Sequence, residues 1–401
     1  MMQYWMERFQ KAAQAGCYDI PLYHSHGSLH AKSITDYTGF LSLPFTYKQE
    51  IREASSADLT AAEPSEVFGL FSSSGTTGDK TYFTFTFQDK AVHTECAAAY
   101  LGGIGITAED LGGVLAPIGQ GMMGQTMIWQ FTACGAGYIN CPMPSPEAVT
   151  DLIARFPVTV LAGLPNTMAA VPASSAWNAV AAQQSTVKRL LMGGDYLSSQ
   201  KRRMLEQSWH AECYNLFGFS EVFGPMASEC KQKDGLHFLP QYFFIEVIDP
   251  DSLQPVAPGE IGIAVYTTLW NKGFPLLRYW SDDFVSLSFD DCPCGCGLPR
   301  FWFHGRMADA FKNNRGQWVL PSDVEPVLAE ASFSGIYRIV RKANQYTLEL
   351  EYAGEYGPEW LQVQKKLSAL VGSPVSLQFL QQGAILQGKG KYKRFTEDPE
   401  P

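Results

Sequence analysis

Short apolar runs alternate with amphipathic stretches through the middle of the chain. The amphipathic stretches carry helix-start signals: Ser145, Pro146 and Glu147 supply an N-cap residue, a proline at the first helical position and an acid in the first turn. Strands that alternate with helices in this way predict an α/β fold, with a parallel sheet covered by helices. The runs predicted to form its buried strands are 113–117, 158–162, 188–192 and 211–216.

The pattern differs on both sides of this region. Residues 1–60 predict helices and loops, with apolar segments at 20–23 and 43–46 that pin this arm to the main body. Residues 240–290 are rich in strand patterns, and the residues after 308 predict a helix, a hairpin, a second helix and a strand.

We therefore predict two domains. Residues 1–308 would form a large N-terminal domain of helix-covered sheets, and residues 309–401 a small α+β lid domain. At the start of the lid domain, the spacing of Ser322 and Glu325 predicts a helix capping box.

Composition narrows the class of protein. With 46% hydrophobic and 17% charged residues, the 401-residue chain is that of a well-packed globular protein. A net charge of −10, with only a short basic tail at 389–394, argues against a nucleic-acid partner. We expect no signal peptide and no membrane span, because no basic-then-apolar N-terminus and no run of about 18 apolar residues occurs.

The nine cysteines are an odd number and mostly scattered, which favours a reducing compartment, the cytoplasm. The oligomeric state is left open, a homodimer being one option. Three nearby histidines lack a fourth ligand among their neighbours and are interpreted as surface or loop residues: His24, His26 and His30.

Glycines and hydroxyl side chains fill residues 73–78, between an apolar entry and an alternating strand pattern at 82–87. Glycines let successive backbone N–H groups converge, and Ser and Thr add donors, so the segment can cradle phosphate oxygens. It is not a Walker A loop, which needs G-x-x-x-x-G-K-[ST] before a helix. A polar hairpin turn is the alternative interpretation.

Two glycine-containing stretches follow predicted strands, at 193–195 and 217–221. Ligands of parallel sheets bind at the carboxyl ends of strands, so both stretches are candidate site segments.

A cysteine and histidine set predicts a structural zinc site in the region 225–300. Zn²⁺ prefers four sulfur or imidazole ligands, and the candidates are Cys230, His237, Cys292 and Cys294. Cys296 could replace Cys292 or Cys294. Free buried thiols are the alternative.

More motifs follow in order along nearly the whole chain. They are the 43–46 segment, Asn215-Leu216-Phe217-Gly218-Phe219-Ser220-Glu221, Ala227-Ser228-Glu229-Cys230, Arg278-Tyr279-Trp280-Ser281-Asp282-Asp283, Gly305-Arg306 and Gly390-Lys391-Tyr392-Lys393-Arg394. With the 73–78 segment ahead of most of them, the chain resembles the adenylate-forming superfamily of acyl-CoA synthetases, nonribosomal adenylation domains and luciferases. Within it, the resemblance is to the phenylacetate–CoA ligase-like branch.

The resemblance implies an ATP site with Mg²⁺. The 73–78 segment would hold the β- and γ-phosphates, Phe217 would lie against adenine, and Asp283, in preference to Asp282, would accept the ribose hydroxyls. Glu221 would bind Mg²⁺, with an acid that complements a helix dipole as the alternative. The implied ATP- or AMP-binding residues are Ser73, Ser74, Gly75, Thr76, Thr77, Gly78, Gly194, Asp195, Asn215, Phe217, Gly218, Ser220, Asp283 and Arg306.

The resemblance also implies a mobile C-terminal domain. Lys391 would bridge the carboxylate and the α-phosphate, and the implied catalytic set is Lys391, Glu221 and Thr77. A solvated basic tail is the alternative for Lys391. The hinge would lie at Asp309, with Ala310 as the alternative. Weak candidates for the acyl pocket, which could equally be core residues, are Gln120, Met122, Met123 and Trp129.

The implied activity is conversion of an aryl or related carboxylic acid to its acyl-adenylate, with release of pyrophosphate. The acyl group would then pass to the thiol of CoA. One alternative keeps the first half-reaction but delivers the acyl group to a carrier protein or an amine. A second alternative is a non-catalytic member of the fold, for which Asp79 beside the phosphates would be the best argument.

Overall fold

The computed structural model describes residues 1–25, 31–72, 81–116, 122–177, 185–342, 345–354, 356–385 and 392–397. Its helices are α1 (Met2–Gln14), α2 (Pro21–Ser25), α3 (Tyr37–Leu41), α4 (Lys48–Glu53), α5 (Phe87–Gly103), α6 (Met123–Ala133), α7 (Pro146–Arg155), α8 (Pro165–Ala170), α9 (Ser199–Trp209), α10 (Pro321–Ala329) and α11 (Pro358–Val371).

The strands follow the same chain order. They are β1 (Val67–Ser72), β2 (Tyr82–Thr86), β3 (Leu111–Leu115), β4 (Gly137–Asn140), β5 (Val160–Gly163), β6 (Arg189–Met192), β7 (Glu212–Phe217), β8 (Ala227–Glu229), β9 (Leu236–Phe238), β10 (Phe243–Ile248), β11 (Ile261–Thr268), β12 (Tyr279–Ser288), β13 (Arg300–Arg306), β14 (Phe311–Lys312), β15 (Trp318–Val319), β16 (Tyr337–Lys342), β17 (Gln345–Glu351), β18 (Val375–Leu380) and β19 (Phe395–Glu397).

One large sheet contains eleven strands in the order β10-β11-β12-β13-β9-β8-β7-β6-β5-β3-β4. From β4 to β7 the neighbouring strands run parallel, and from β7 through β8 to β9 they run antiparallel. The predicted apolar runs overlap β3, β5, β6 and β7, so the α/β prediction is confirmed. The predicted cap of α7 is also present, since Ser145 Oγ accepts the N–H of Ala148 at 3.2 Å.

The described chain divides into two compact units. The first contains Met1–Asp195, Ser208–Ser281 and Val285–Trp302, and the second contains Tyr196–Gln207, Asp282–Phe284 and Phe303–Pro401. In the second unit, α10 and α11 pack their apolar faces with the four-stranded sheet β18-β17-β16-β19. Trp360 of α11 is fully buried in that core.

Both predicted anchors of the N-terminal arm are confirmed. The hydroxyl of Tyr23 donates to Pro275 O at 2.7 Å and accepts the N–H of Leu277 at 2.9 Å. Thr46 Oγ1 donates to Leu277 O at 2.7 Å, and Thr46 O accepts the N–H of Trp280 at 2.9 Å. The arm is therefore hydrogen-bonded to the segment that leads into β12.

A buried ion pair joins the same segment to β10. The Arg278 guanidinium donates Nη2 to Oε1 of Glu246 at 2.9 Å and Nε to Oε2 at 3.1 Å, and both residues are buried. Nη1 donates to Leu41 O at 2.8 Å, and the guanidinium lies 4.3 Å from the centre of the Phe45 ring. Arg278 has a left-handed φ of 45°, a conformation that needs such compensating contacts in a non-glycine residue.

Helix α5 begins with a buried cap. Asp89 Oδ2 accepts the N–H of Thr86 at 2.7 Å, and Oδ1 accepts Nε1 of Trp270 at 2.9 Å. Thr86 Oγ1 in turn accepts the N–H of Asp89 at 3.1 Å, which completes a capping box.

For the C-terminal region, the predicted cap of α10 was wrong and the predicted set of strands was incomplete. The capping acid of α10 is Asp323, whose carboxylate accepts the N–H of Leu320 at 2.9 Å, while Glu325 instead bonds to Arg394 at 3.1 Å. Pro321 takes the first helical position, so Leu320 rather than Ser322 is the N-cap residue, and the cap lies two residues upstream of the predicted one. Strand β19 was not predicted, because three residues give too short a pattern.

Within the described residues, no helix has the length and hydropathy needed to cross a membrane.

We expect Arg278→Met to lower the free energy of unfolding by about 3–5 kcal/mol, because it leaves the Glu246 carboxylate buried without its partner. Urea denaturation followed by tryptophan fluorescence would measure this loss. The matched control is Arg155→Met, which removes an exposed pair with Asp151 and should cost less than about 1 kcal/mol. Equal stability of the two variants would contradict the anchor role, and Arg278→Met/Glu246→Met should recover part of the loss.

Asp89 should give the stability a distinct pH dependence. Burial raises its pKa from 3.8 to about 6, although its hydrogen bonds act in the opposite direction. The folded protein thus holds this proton more tightly than the unfolded chain, so the stabilising contribution is complete below about pH 4 and is lost as the pH rises through about 6. Between pH 4 and 7, wild type should lose on the order of 3 kcal/mol relative to Asp89→Asn, as followed by urea denaturation. Parallel pH profiles of the two proteins would contradict this.

Candidate active site

The two glycine-containing stretches, 193–195 and 217–221, lie at the carboxyl ends of neighbouring parallel strands. Met192 of β6 pairs in register with Asn215 of β7. Gly194 and Asp195 therefore follow β6 at the edge of the sheet where β7 ends in Phe217. This is the edge at which parallel sheets bind ligands.

Two glycines in these stretches are required by the backbone. Gly194 has φ 79°, and a Cβ there would lie 3.0 Å from Leu164 Cδ2. A Cβ at Gly218 would lie only 2.3 Å from the carbonyl oxygen of Gly224. The turn after β7 is therefore folded tightly on itself, which fixes the residues on either side.

Aromatic rings surround the end of β7. Phe217 is half-buried, and its ring centre lies 5.2 Å from that of Phe301 and 6.3 Å from that of Phe219. The Asn215 backbone N–H donates to Glu229 Oε2 at 2.7 Å, which joins β7 to the end of β8.

Glu221 is a buried acid, 5% exposed, in the 3-10 turn Ser220–Val222. Its Oε1 accepts the Tyr279 hydroxyl at 3.3 Å and lies 3.2 Å from Lys48 Nζ. Its second oxygen, Oε2, has no hydrogen-bond partner among the residues that the structure describes, so it can accept a hard cation. A single 3-10 turn has little dipole to complement, which disfavours the alternative interpretation.

Lys48 and Tyr279 were missed from the sequence. Lys48 opens α4 two residues after Thr46, and Tyr279 lies between Arg278 and Trp280. The signal available in the sequence was that Lys48 follows a predicted anchor by two residues. Sequence alone does not bring this lysine beside Glu221, which is 173 positions later (221 − 48).

In the second unit, two predicted nucleotide-binding residues come together. Arg306 Nε lies 3.5 Å from Oδ1 of Asp283, which is buried, while the adjacent Asp282 is exposed. Burial thus separates the two candidate acids as expected.

The hinge candidate also lies in this unit. Asp309 ends the 3-10 turn Met307–Asp309, and its Oδ1 accepts the N–H of Arg394 at 2.9 Å. Arg394 is buried and also donates Nε to Glu325 Oε1 at 3.1 Å. The segment that follows residue 391 is therefore fixed to the candidate hinge.

An aromatic cluster surrounds Trp129. Its ring centre lies 5.5 Å from Phe68, 6.0 Å from Phe71, 5.2 Å from Phe223 and 5.9 Å from His93. Neither ring nitrogen of His93 has a hydrogen-bond partner within the described residues, and burial lowers its pKa to about 3, so the imidazole is neutral. Of the other acyl-pocket candidates, Met122 is buried just before α6 and Met123 is half-buried at its start.

The cysteine and histidine candidates form one cluster in the first unit. The antiparallel pairing of β8 with β9 brings Cys230 opposite the strand that carries His237. One ligand atom from each of Cys230, His237, Cys292 and Cys294 lies within 4.8 Å of all the others. Cys230 Sγ is 3.8 Å from Cys292 Sγ, and Cys294 Sγ is 3.6 Å from His237 Nε2.

His237 has the correct form for a metal ligand. Its Nδ1 lies 3.1 Å from Leu298 O, so the Nδ1–H tautomer leaves Nε2 toward Cys294. Burial lowers the pKa of His237, which favours the neutral ring that metals require. Cys296 is exposed, and its Sγ lies 3.5 Å from Nδ1 and 3.3 Å from Cys294 Sγ. The geometry therefore favours Cys294 over Cys296.

The remaining candidates lie outside the described residues. They are Ser73, Ser74, Gly75, Thr76, Thr77, Gly78, Asp79, Gln120 and Lys391, together with His26 and His30.

Two curated relatives share sequence with this chain. A phenylacetate-coenzyme A ligase of Thermus thermophilus is 28% identical over 293 residues, which are 71% of this chain and 65% of that enzyme's length. A phenylacetate-coenzyme A ligase of Aromatoleum evansii is 24% identical over 374 residues, 92% of this chain and 82% of its own.

The fold matches that of solved ligases. A 2-hydroxyisobutyryl-CoA ligase, in the postadenylation state with 2-HIB-AMP, superimposes with a TM-score of 0.83 at 21% identity, covering 98% of this chain and 89% of its own. ATP-bound MatB from Rhodopseudomonas palustris gives a TM-score of 0.60 at 17% identity, covering 80% and 65%. These likenesses confirm the predicted fold.

The profile of the AMP-binding enzyme family matches residues 23–268. The match includes the two glycine-containing stretches at the ends of β6 and β7, and with them the buried acid Glu221. It also covers more than half of the chain, and it agrees with the resemblance that the motifs indicate. This chain therefore belongs to the AMP-binding enzyme family.

Proposed function

We propose that the protein is an ATP-dependent acid–thiol ligase that activates an aryl or related carboxylic acid. The carboxylate oxygen would attack the α-phosphorus of ATP and pyrophosphate would leave. The thiol of CoA would then attack the acyl carbon of the acyl-adenylate, forming the thioester and displacing AMP. The observation that carries this proposal is the buried Glu221, in the turn that follows the end of β7 at Phe217; one of its carboxylate oxygens has no partner among the described residues. The phenylacetate-coenzyme A ligase relatives support the choice of acid and acceptor.

Each candidate residue has a physical task in this scheme. The donors of residues 73–78, Thr77 included, would bind the phosphates and the departing pyrophosphate. Phe217 would stack on adenine, with Gly194, Asp195, Asn215, Gly218 and Ser220 forming the rest of its turn-lined edge. Asp283 would accept the ribose hydroxyls beside Arg306.

Mg²⁺ would be held by Glu221 and would neutralise phosphate charge. The carboxylate is ionisable, buried and open at one oxygen, which fits a hard divalent ion.

The C-terminal residues 309–401 would form a mobile domain that brings Lys391 to the reacting groups, with residues 1–308 as the nucleotide domain. Two anionic groups meet during adenylation, so a cation between them lowers the barrier. The bonds from Asp309 to Arg394 support this, because they hold a residue that follows shortly after Lys391 in the sequence at the candidate hinge.

The acyl group would be bound near Trp129, Met122, Met123 and Gln120. The rings of Phe68, Phe71 and Phe223 around Trp129 support a flat aromatic acid.

A reducing compartment, the cytoplasm, is proposed because all nine cysteines lie in the described part of the chain as thiols.

The test of the activity is pyrophosphate release from ATP and Mg²⁺ over a panel of aryl and short aliphatic acids, with and without CoA. We expect release that depends on an aryl acid and becomes multiple-turnover only with CoA. Single-turnover release regardless of CoA would instead assign a carrier protein or amine as acceptor. Binding of ATP without release for any acid would favour a non-catalytic member of the fold.

Lys391→Ala should lower the rate of acid-dependent pyrophosphate release by about 100-fold or more while ATP binding remains, because a cation that acts in the transition state is removed. The matched control is Lys393→Ala, which removes an exposed lysine two positions away and should keep activity within about twofold. Equal loss in both variants, or none in Lys391→Ala, would refute the catalytic assignment.

We further propose a structural zinc ion on Cys230, His237, Cys292 and Cys294. Four soft ligands with atoms within 4.8 Å of one another fit tetrahedral coordination, and no position is left open for substrate. The ion would join the β8–β9 hairpin to the loop before β13 and take no part in the reaction.

Purified protein should contain about one zinc ion per chain by elemental analysis, and Cys230→Ser should remove most of it and lower the melting temperature. Cys296→Ser is the control and should retain the metal. Loss of zinc in Cys296→Ser with retention in Cys294→Ser would show that the two cysteines exchange roles. Absence of zinc from wild type would leave the cysteines as buried thiols.

A further inference from the structure

Lys48 is the cation that contacts the buried carboxylate of Glu221. Its Nζ lies 3.2 Å from Oε1, the oxygen that also accepts the Tyr279 hydroxyl. The Lys48 side chain is 43% exposed and that of Glu221 only 7%, so the lysine links a buried acid to the solvent side of the site.

The fold fixes this contact from two directions. Thr46, two residues before Lys48, is hydrogen-bonded to Leu277 and Trp280, and Tyr279 lies between those two residues. Both groups that contact Oε1 therefore come from segments that are bonded to each other. The Glu221 carboxylate is therefore held through Oε1, while Oε2 is left to accept a metal ion.

The charges suggest what this arrangement achieves. A nucleotide polyphosphate that approached an uncompensated buried carboxylate would be repelled, since like charges at close range repel strongly in the low dielectric of a protein interior. We propose that Lys48 is a positioning residue and the resident counter-ion of Glu221: it neutralises the carboxylate before the metal arrives, so that ATP can enter. This inference rests on the proposed nucleotide function.

A merely structural ion pair makes a different prediction. Loss of a structural contact would weaken ATP binding by the same factor with and without metal. A counter-ion role makes the loss larger without metal, because Mg²⁺ can take over the neutralisation of Glu221.

The experiment measures ATP affinity by isothermal titration calorimetry, once with EDTA and once with Mg²⁺. Lys48→Met should weaken metal-free ATP binding about tenfold, the loss with Mg²⁺ should stay below about threefold, and Lys48→Arg should restore both values. Arg52→Met is the matched control: it removes an exposed cation from the same helix α4 and should leave both affinities unchanged.

Lys48→Met leaves a buried charge and could unfold the protein, so Lys48→Met/Glu221→Gln is measured as well. With both charges gone, metal-free ATP binding should return to within about threefold of wild type. Equal losses with and without Mg²⁺, no loss in Lys48→Met, or no recovery in the double variant would each overturn the inference. Failure of wild type to bind ATP under either condition would overturn the nucleotide function itself, and this inference with it.

Discussion

The arrangement of the first unit depends on the buried ion pair between Arg278 and Glu246. A guanidinium and a carboxylate removed from water are costly unless every hydrogen bond is made, and here Arg278 also satisfies the Leu41 carbonyl. The pair fastens the N-terminal arm to β10 and holds Arg278 in a left-handed conformation. Because Thr46 and Tyr279 adjoin this anchor, the same constraint directs Lys48 and Tyr279 onto Glu221.

The chemistry of the first unit is distributed over rigid elements. Met192 and Phe217 end adjacent parallel strands, and the close approach of Gly218 to Gly224 folds the turn that presents Glu221. The cysteine and histidine cluster belongs to the strands that continue the same sheet, so a metal there would stiffen the sheet without touching the carboxylate chemistry. The second unit holds its own buried acid, Asp283, with Arg306 beside it.

Several features of the site were open to sequence analysis because they depend on local rules. Glycines and polar residues after apolar runs predicted the strand-end position of 193–195 and 217–221, and the cysteine and histidine spacing predicted the cluster. The predictions that failed concern features that depend on competition between neighbouring residues. Pro321 moved the start of α10, so Asp323 caps it and Glu325 is released to bond with Arg394. Strand β19 has too few residues to show any periodicity.

The α/β class, the parallel strands, the family and the acid at 221 could be predicted from the chain alone, because hydrophobic period, capping chemistry and ordered motifs are properties of the sequence. The contact of Lys48 with Glu221 is visible only in the folded chain, and so are the burial of Asp283 but not of Asp282 and the position of Cys294 in the ligand cluster, which support preferences that the sequence had already indicated. In each case, position along the sequence alone does not distinguish the competing residues. Burial and hydrogen bonding distinguish them, and both depend on segments that are far apart in the chain.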